Sequence, residues 1–96
     1  MPTNINVQDI APYLKEDEVS SFRRALDFSA EAHSGQFRKG GDPYITHPLA
    51  VSTILAGWRM DIQTLVAALL HDVMEDTNIS REQLTSQFGA SVADLV

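Results

Sequence analysis

The chain has no cysteine. That excludes a disulfide framework and any thiolate metal site, and it fits a reducing compartment. Long apolar runs are also missing. The longest nearly apolar stretch, Leu65 to Leu70, is far too short to cross a bilayer. Met1-Pro2-Thr3-Asn4 carries no basic cluster, and Val7 to Tyr13 is too mixed to form the apolar segment of a secretory signal. The expectation is a soluble, cytoplasmic chain without a membrane partner. Basic residues are scarce, 7 Lys and Arg against 13 Asp and Glu, for a formal charge of −6. Such a chain repels nucleic-acid backbones, so no nucleic-acid partner is expected. A phosphorylated small molecule is still within reach if a metal ion carries the positive charge.

What is present fits one globular domain. The 96 residues leave no room for a second. Val7 to Leu14 reads as a short helix or arm, and Glu16-Asp17-Glu18 places acid where a helix start favours it. Val19, Phe22, Leu26, Ala30 and His33 recur at three- and four-residue spacing, the mark of an amphipathic helix that Gly35 stops. The loop from Gly35 to Thr46 is long and rich in glycine. Pro48 suits the first position of the next helix, with His47 at its cap and Val51, Ile54, Leu55 and Trp58 as its core stripe. Asp61 caps a helix expected from Ile62 to about Glu75. Ser80 and Gln83 form a capping box, Phe88-Gly89 closes that helix, and Ala90 to Val96 is helical again. No alternating strand pattern or internal repeat is found. The fold class is all-α. The apolar end, Val92, Leu95 and Val96, wants a partner, which suggests a portion of a longer domain and self-association of an exposed half-core.

The chemistry gathers on the Ile62 to Asp76 segment. At roughly 100° per residue, Ile62, Val66, Leu69, Leu70 and Val73 share one side and His71, Asp72, Glu75 and Asp76 the other. Three carboxylates and an imidazole at a helix end already bearing partial negative charge are costly unless a cation sits among them. A lone His-Asp pair is more often a solvated helix end. Here an apolar run leads straight into it, so a buried helix delivers the pair to a cavity. His47, held by Pro48, is a second element; a histidine at a cap is by itself most often a surface residue. With His71 and Asp72 it makes two nitrogens and one oxygen, suited to manganese, iron or zinc more than calcium.

The string His33-x-x-Gln36-x-Arg38-Lys39-x-Gly41-x-Pro43-Tyr44-Ile45-x-His47-Pro48, followed by Leu69-Leu70-His71-Asp72-Val73-x-Glu75-Asp76-Thr77, closely resembles the hydrolase domain of RelA/SpoT homologues, the (p)ppGpp synthetase/hydrolases. The likeness runs through Phe88-Gly89 and Val92-x-x-Leu95-Val96. It implies an all-α HD-type phosphohydrolase fold, with residues 1–96 its amino-terminal part. It implies one manganese ion held by His47, His71 and Asp72, the fourth ligand being an aspartate farther along than Val96. Glu75 and Asp76 match the acidic pair at the reaction centre. Arg38 and Lys39 match the basic residues that meet the guanosine nucleotide, Arg38 by stacking on the base, and Tyr44 falls in the same substrate loop. The implied reaction removes pyrophosphate from the 3′ position of ppGpp or pppGpp, leaving GDP or GTP. The HD motif is intact, as in hydrolysing members, but with the fourth ligand missing the 96 residues alone are expected to be inactive. Two other readings stay open: another HD-type nucleotide phosphohydrolase, and a non-catalytic regulatory HD module.

Overall fold

The computed structural model describes residues 6–37, 40–41 and 43–96. Among these residues seven helices follow one another: α1 (Val7–Ile10), α2 (Glu16–Ala32), α3 (Thr46–Gly57), α4 (Ile62–Leu70), α5 (Val73–Asp76), α6 (Arg81–Phe88) and α7 (Ala90–Leu95). Among the described residues the one β feature is an isolated antiparallel bridge between Phe37 and Pro43. No described helix is long and apolar enough to cross a membrane. The all-α expectation holds.

The run Leu65 to Leu70 explains the architecture. All six residues are buried, and a helix apolar all round can only sit in the middle. So α4 is the central rod, packed against α2, α3 and α7. On α2, Phe22, Ala25, Leu26 and Ser29 are buried; of the expected stripe Phe22, Leu26 and His33 are buried, and Val19 and Ala30 are half-buried. Phe22, Leu26, Leu65, Leu69 and Leu70 are completely buried, and each such side chain contributes on the order of 1.5–3 kcal/mol. The capping box also stands as expected. Ser80 N–H donates to Gln83 Oε1 at 2.9 Å and Gln83 N–H donates to Ser80 Oγ at 3.2 Å. Gly89 ends α6 at φ 93°, a conformation few other residues adopt.

Three expectations are corrected. α3 begins at Thr46, so His47 lies inside its first turn and Pro48 is its third residue rather than its first. The first turn still tolerates proline, because no intrahelical partner awaits its missing N–H. The core stripe of α3 is also rotated from Val51, Ile54, Leu55 and Trp58. Pro48, Ser52 and Ala56 are buried, while Ile54 is 58% and Trp58 70% exposed. The reason is close approach to α4. Small side chains let the two backbones come together, and Ser52 Oγ–H donates to the Leu65 carbonyl at 3.1 Å. Finally, the helix expected from Ile62 to Glu75 is two helices. α4 stops at Leu70, His71 and Asp72 form a turn, and α5 restarts at Val73.

Candidate metal centre

The break after Leu70 positions the site. α3 and α4 form a helical hairpin whose turn includes Arg59 at φ 57°. Ser52 touches Leu65, so the start of α3 lies beside the end of α4. His47 is therefore carried to His71 and Asp72, and the two imidazoles stand 5.7 Å apart, centroid to centroid. One donor atom from each of His47, His71 and Asp72 lies within 4.8 Å of the others. Ligand atoms at about 2.1 Å from one ion lie roughly 3–4.2 Å apart, so the cluster approaches the spacing of a ligating set.

The proton positions favour a cation there. His71 Nδ1 lies 2.7 Å from the Ala68 carbonyl oxygen. A carbonyl only accepts, so Nδ1 carries the proton and Nε2 of the neutral ring is a bare lone pair. That lone pair faces Asp72 Oδ2 at 3.1 Å. Two electron-rich atoms at that distance repel unless a proton or a metal ion stands between or beside them. Ligating histidines commonly donate their other ring N–H to a backbone carbonyl, as this one does. All three residues are half-buried, so the site opens to solvent on one side.

Tyr44 closes the other side. Its hydroxyl lies 2.7 Å from Asp76 Oδ2 and 3.0 Å from Asp72 Oδ2. One phenolic proton thus serves two carboxylates, one of them in the cluster. The Asp76 hydrogen bond, then burial, then the Asp72 hydrogen bond push the Tyr44 phenol well above its ordinary ionisation range. Asp72 and Asp76 are separated by one helical turn, and Asp76 N–H donates to the Asp72 carbonyl at 2.9 Å. Glu75 and Asp76 are exposed and line a polar cleft of about 380 Å³ together with Gln36, Thr77 and Asn78.

The structure thus brings His47, His71, Asp72, Tyr44 and Asp76 into one cluster, with Glu75 at its edge. Arg38 and Lys39 lie outside the described residues. Tyr44, expected on the substrate loop, has its hydroxyl turned to the carboxylates. Two further participants carried no role in the sequence reading. Gln36 Nε2 donates to the Asp76 carbonyl at 2.9 Å, and the buried ring of His33 stacks on Tyr44 at 4.5 Å. In the sequence His33 is the last member of the α2 stripe and the first residue of the linked motif, with no role attached to it. Its three-residue spacing from Gln36 was the available signal, and nothing in that spacing shows where the pair points.

Known proteins resemble the chain along most of its length. A Vibrio cholerae protein named guanosine-3′,5′-bis(diphosphate) 3′-pyrophosphohydrolase is 48% identical over 92 residues, 95% of this chain and 13% of that protein. The bifunctional (p)ppGpp synthase/hydrolase SpoT of Escherichia coli K12 is 51% identical over 89 residues, 93% of this chain and 13% of that one. A Mycobacterium leprae protein named a probable GTP pyrophosphokinase is 54% identical over 78 residues, 81% of this chain and 10% of that one. The chain therefore spans only about an eighth of the length of the first two relatives. The resemblance to RelA/SpoT homologues read from the two linked motifs is borne out. The model of the HD domain family matches residues 25–96, and with a clustered His47, His71 and Asp72 the chain belongs to that family, whose His/Asp cluster is a divalent-metal site.

Proposed function

We propose that the chain is the metal-bearing, amino-terminal portion of a (p)ppGpp 3′-pyrophosphohydrolase domain. The observation that carries this reading is the meeting of His47 with His71 and Asp72 at the mouth of α4, in a chain about half identical to proteins named for that hydrolysis. The resident ion is manganese, which two imidazoles and a carboxylate accommodate. His47 and His71 present nitrogens and Asp72 an oxygen. An aspartate from farther along the full-length protein completes the set.

When bound, the ion supplies positive charge for the phosphoryl oxygens and lowers the pKa of water toward neutrality. The protein's own groups do the rest. His71 is held in the Nδ1–H tautomer by the Ala68 carbonyl, which leaves Nε2 facing the site. Glu75 and Asp76, at the polar cleft, orient the attacking water and take its proton, acting as a coupled pair rather than as one acid and one base. Arg38 and Lys39 meet the guanosine nucleotide, Arg38 by stacking on its base. The products are pyrophosphate and GDP or GTP.

The test is a graft. The chain replaces the matching segment of the Escherichia coli relative, and pyrophosphate release from ppGpp is followed with manganese. Turnover that disappears with His71→Ala or Asp72→Asn is the expected outcome. A graft that binds manganese but acts only on other nucleotides would assign the site to a different phosphohydrolase. One that binds manganese and hydrolyses nothing would point to a regulatory module.

A further inference from the structure

The strongest unexplained feature lies behind the cluster. His33 caps α2 and is 3% exposed, yet no part of the proposed reaction uses it. Its ring lies against Tyr44, centroids 4.5 Å apart and planes at 26°. Its Nδ1 is 3.2 Å from Gln36 Oε1, and Gln36 Nε2 donates to the Asp76 carbonyl. These contacts close a ring: His33 to Gln36, Gln36 to Asp76, Asp76 to the Tyr44 hydroxyl, and Tyr44 back onto His33.

The ring determines where one proton sits. Gln36 spends its amide N–H on Asp76, so the atom facing His33 is a carbonyl oxygen that only accepts. Nδ1 of His33 must then be the donor, and Nε2 is a bare acceptor. Nε2 and the Ser29 hydroxyl, one turn earlier on α2, are buried without a partner among the described residues. A serine hydroxyl can donate or accept, so Ser29 fits either tautomer, and buried polar groups without partners are costly. The Gln36 side thus assigns the Nδ1–H tautomer to His33.

We infer that His33 is a positioning residue of the metal centre: as the Nδ1–H tautomer it holds Gln36 and Tyr44, the two side chains that grip Asp76 and Asp72. It touches neither the ion nor the substrate. Without it, the Tyr44 ring loses its flat support and the shared hydroxyl no longer sits between the two carboxylates. The inference rests on the metal reading above for its consequence, but not for its geometry.

Two measurements on the full chain test it. Nitrogen-15 correlation spectra of the metal-free protein report which ring nitrogen of His33 is protonated. Protonated Nδ1, with cross-relaxation between the His33 and Tyr44 ring protons, is expected; the Nε2–H tautomer or no ring contact would overturn the network. Manganese affinity, read from the electron paramagnetic resonance of the free ion, is then compared for wild type, His33→Phe and Gln36→Leu. Outer partners of metal ligands are worth about 10–100-fold in affinity, and about tenfold weakening is expected in each variant, with folding followed by helical circular dichroism. Gln36 is only half-buried, so its variant stands in if His33→Phe does not fold. Lower thermal midpoints with unchanged manganese affinity would make His33 merely structural and overturn the inference. A wild type that binds no manganese yet shows the expected tautomer and ring contact would sink the metal role while leaving the network intact.

Discussion

The seam between α3 and α4 is where packing and the site depend on one residue. Ser52 is completely buried and its hydroxyl reaches the Leu65 carbonyl at 3.1 Å. It lies between the helix start that carries His47 and the helix end that leads to His71. Ser52→Ala deletes one hydrogen bond and almost no volume, at a cost of about 0.5–1.5 kcal/mol. Ser52→Val loses the same bond and forces two methyl groups between closely packed backbones. Overpacking adds about 1–3 kcal/mol, for roughly 2–4 kcal/mol in all. A domain of this size shifts its midpoint by about 4–8 °C per kcal/mol. Thermal melts followed by circular dichroism should therefore show Ser52→Ala down by roughly 2–12 °C and Ser52→Val down by roughly 8–30 °C. Below its melt, Ser52→Val should also bind manganese more weakly than Ser52→Ala, because the wedge separates His47 from His71. A valine variant as stable as the alanine one would mean that the seam has slack. Equal manganese affinity in both would mean that helix spacing does not set the site.

Tyr44→Phe keeps the ring on His33 and removes the shared proton, so manganese affinity measured by titration should fall by about tenfold; no change would show that the hydroxyl is idle. The same variant has a pH signature. A phenol whose ionisation is raised by folding stabilises the protein fully below the ordinary tyrosine value and loses that contribution as pH climbs above it. Wild type should therefore lose stability more steeply than Tyr44→Phe above about pH 10 in denaturant titrations. Gly89→Ala meets no neighbouring atom, but φ 93° is strained for any side chain, so a loss of about 1–2 kcal/mol in the denaturation midpoint is expected. A neutral effect would mean that the α6–α7 turn adapts. The single tryptophan, Trp58, is 70% exposed, so its fluorescence should peak near the value for water-exposed indole and shift little on unfolding. A blue-shifted native spectrum would show that this face of α3 is covered in solution.

Much of the fold was legible because it is local. The α2 stripe, the Ser80–Gln83 capping box and the Gly89 stop all depend on residues within one or two turns of each other, where chain geometry leaves little choice. The two linked motifs, His33 to Pro48 and Leu69 to Thr77, also carried the family resemblance by themselves, and three of the residues singled out in them, His47, His71 and Asp72, come together in the fold. Three features were decided only by tertiary structure. Ile54 of α3 and Trp58 at its C-cap are bulky and apolar yet exposed, while Ser52 and Ala56 are buried, because α4 rewards close backbone approach over bulk. The helix breaks at His71 although helical periodicity continues through Glu75; the turn lets His71 and Asp72 point together toward His47. The Tyr44 hydroxyl and the His33–Gln36 bridge join residues up to 40 positions apart. Periodicity and caps are set by neighbours along the chain, whereas hydrogen bonds across the fold depend on where whole helices come to rest.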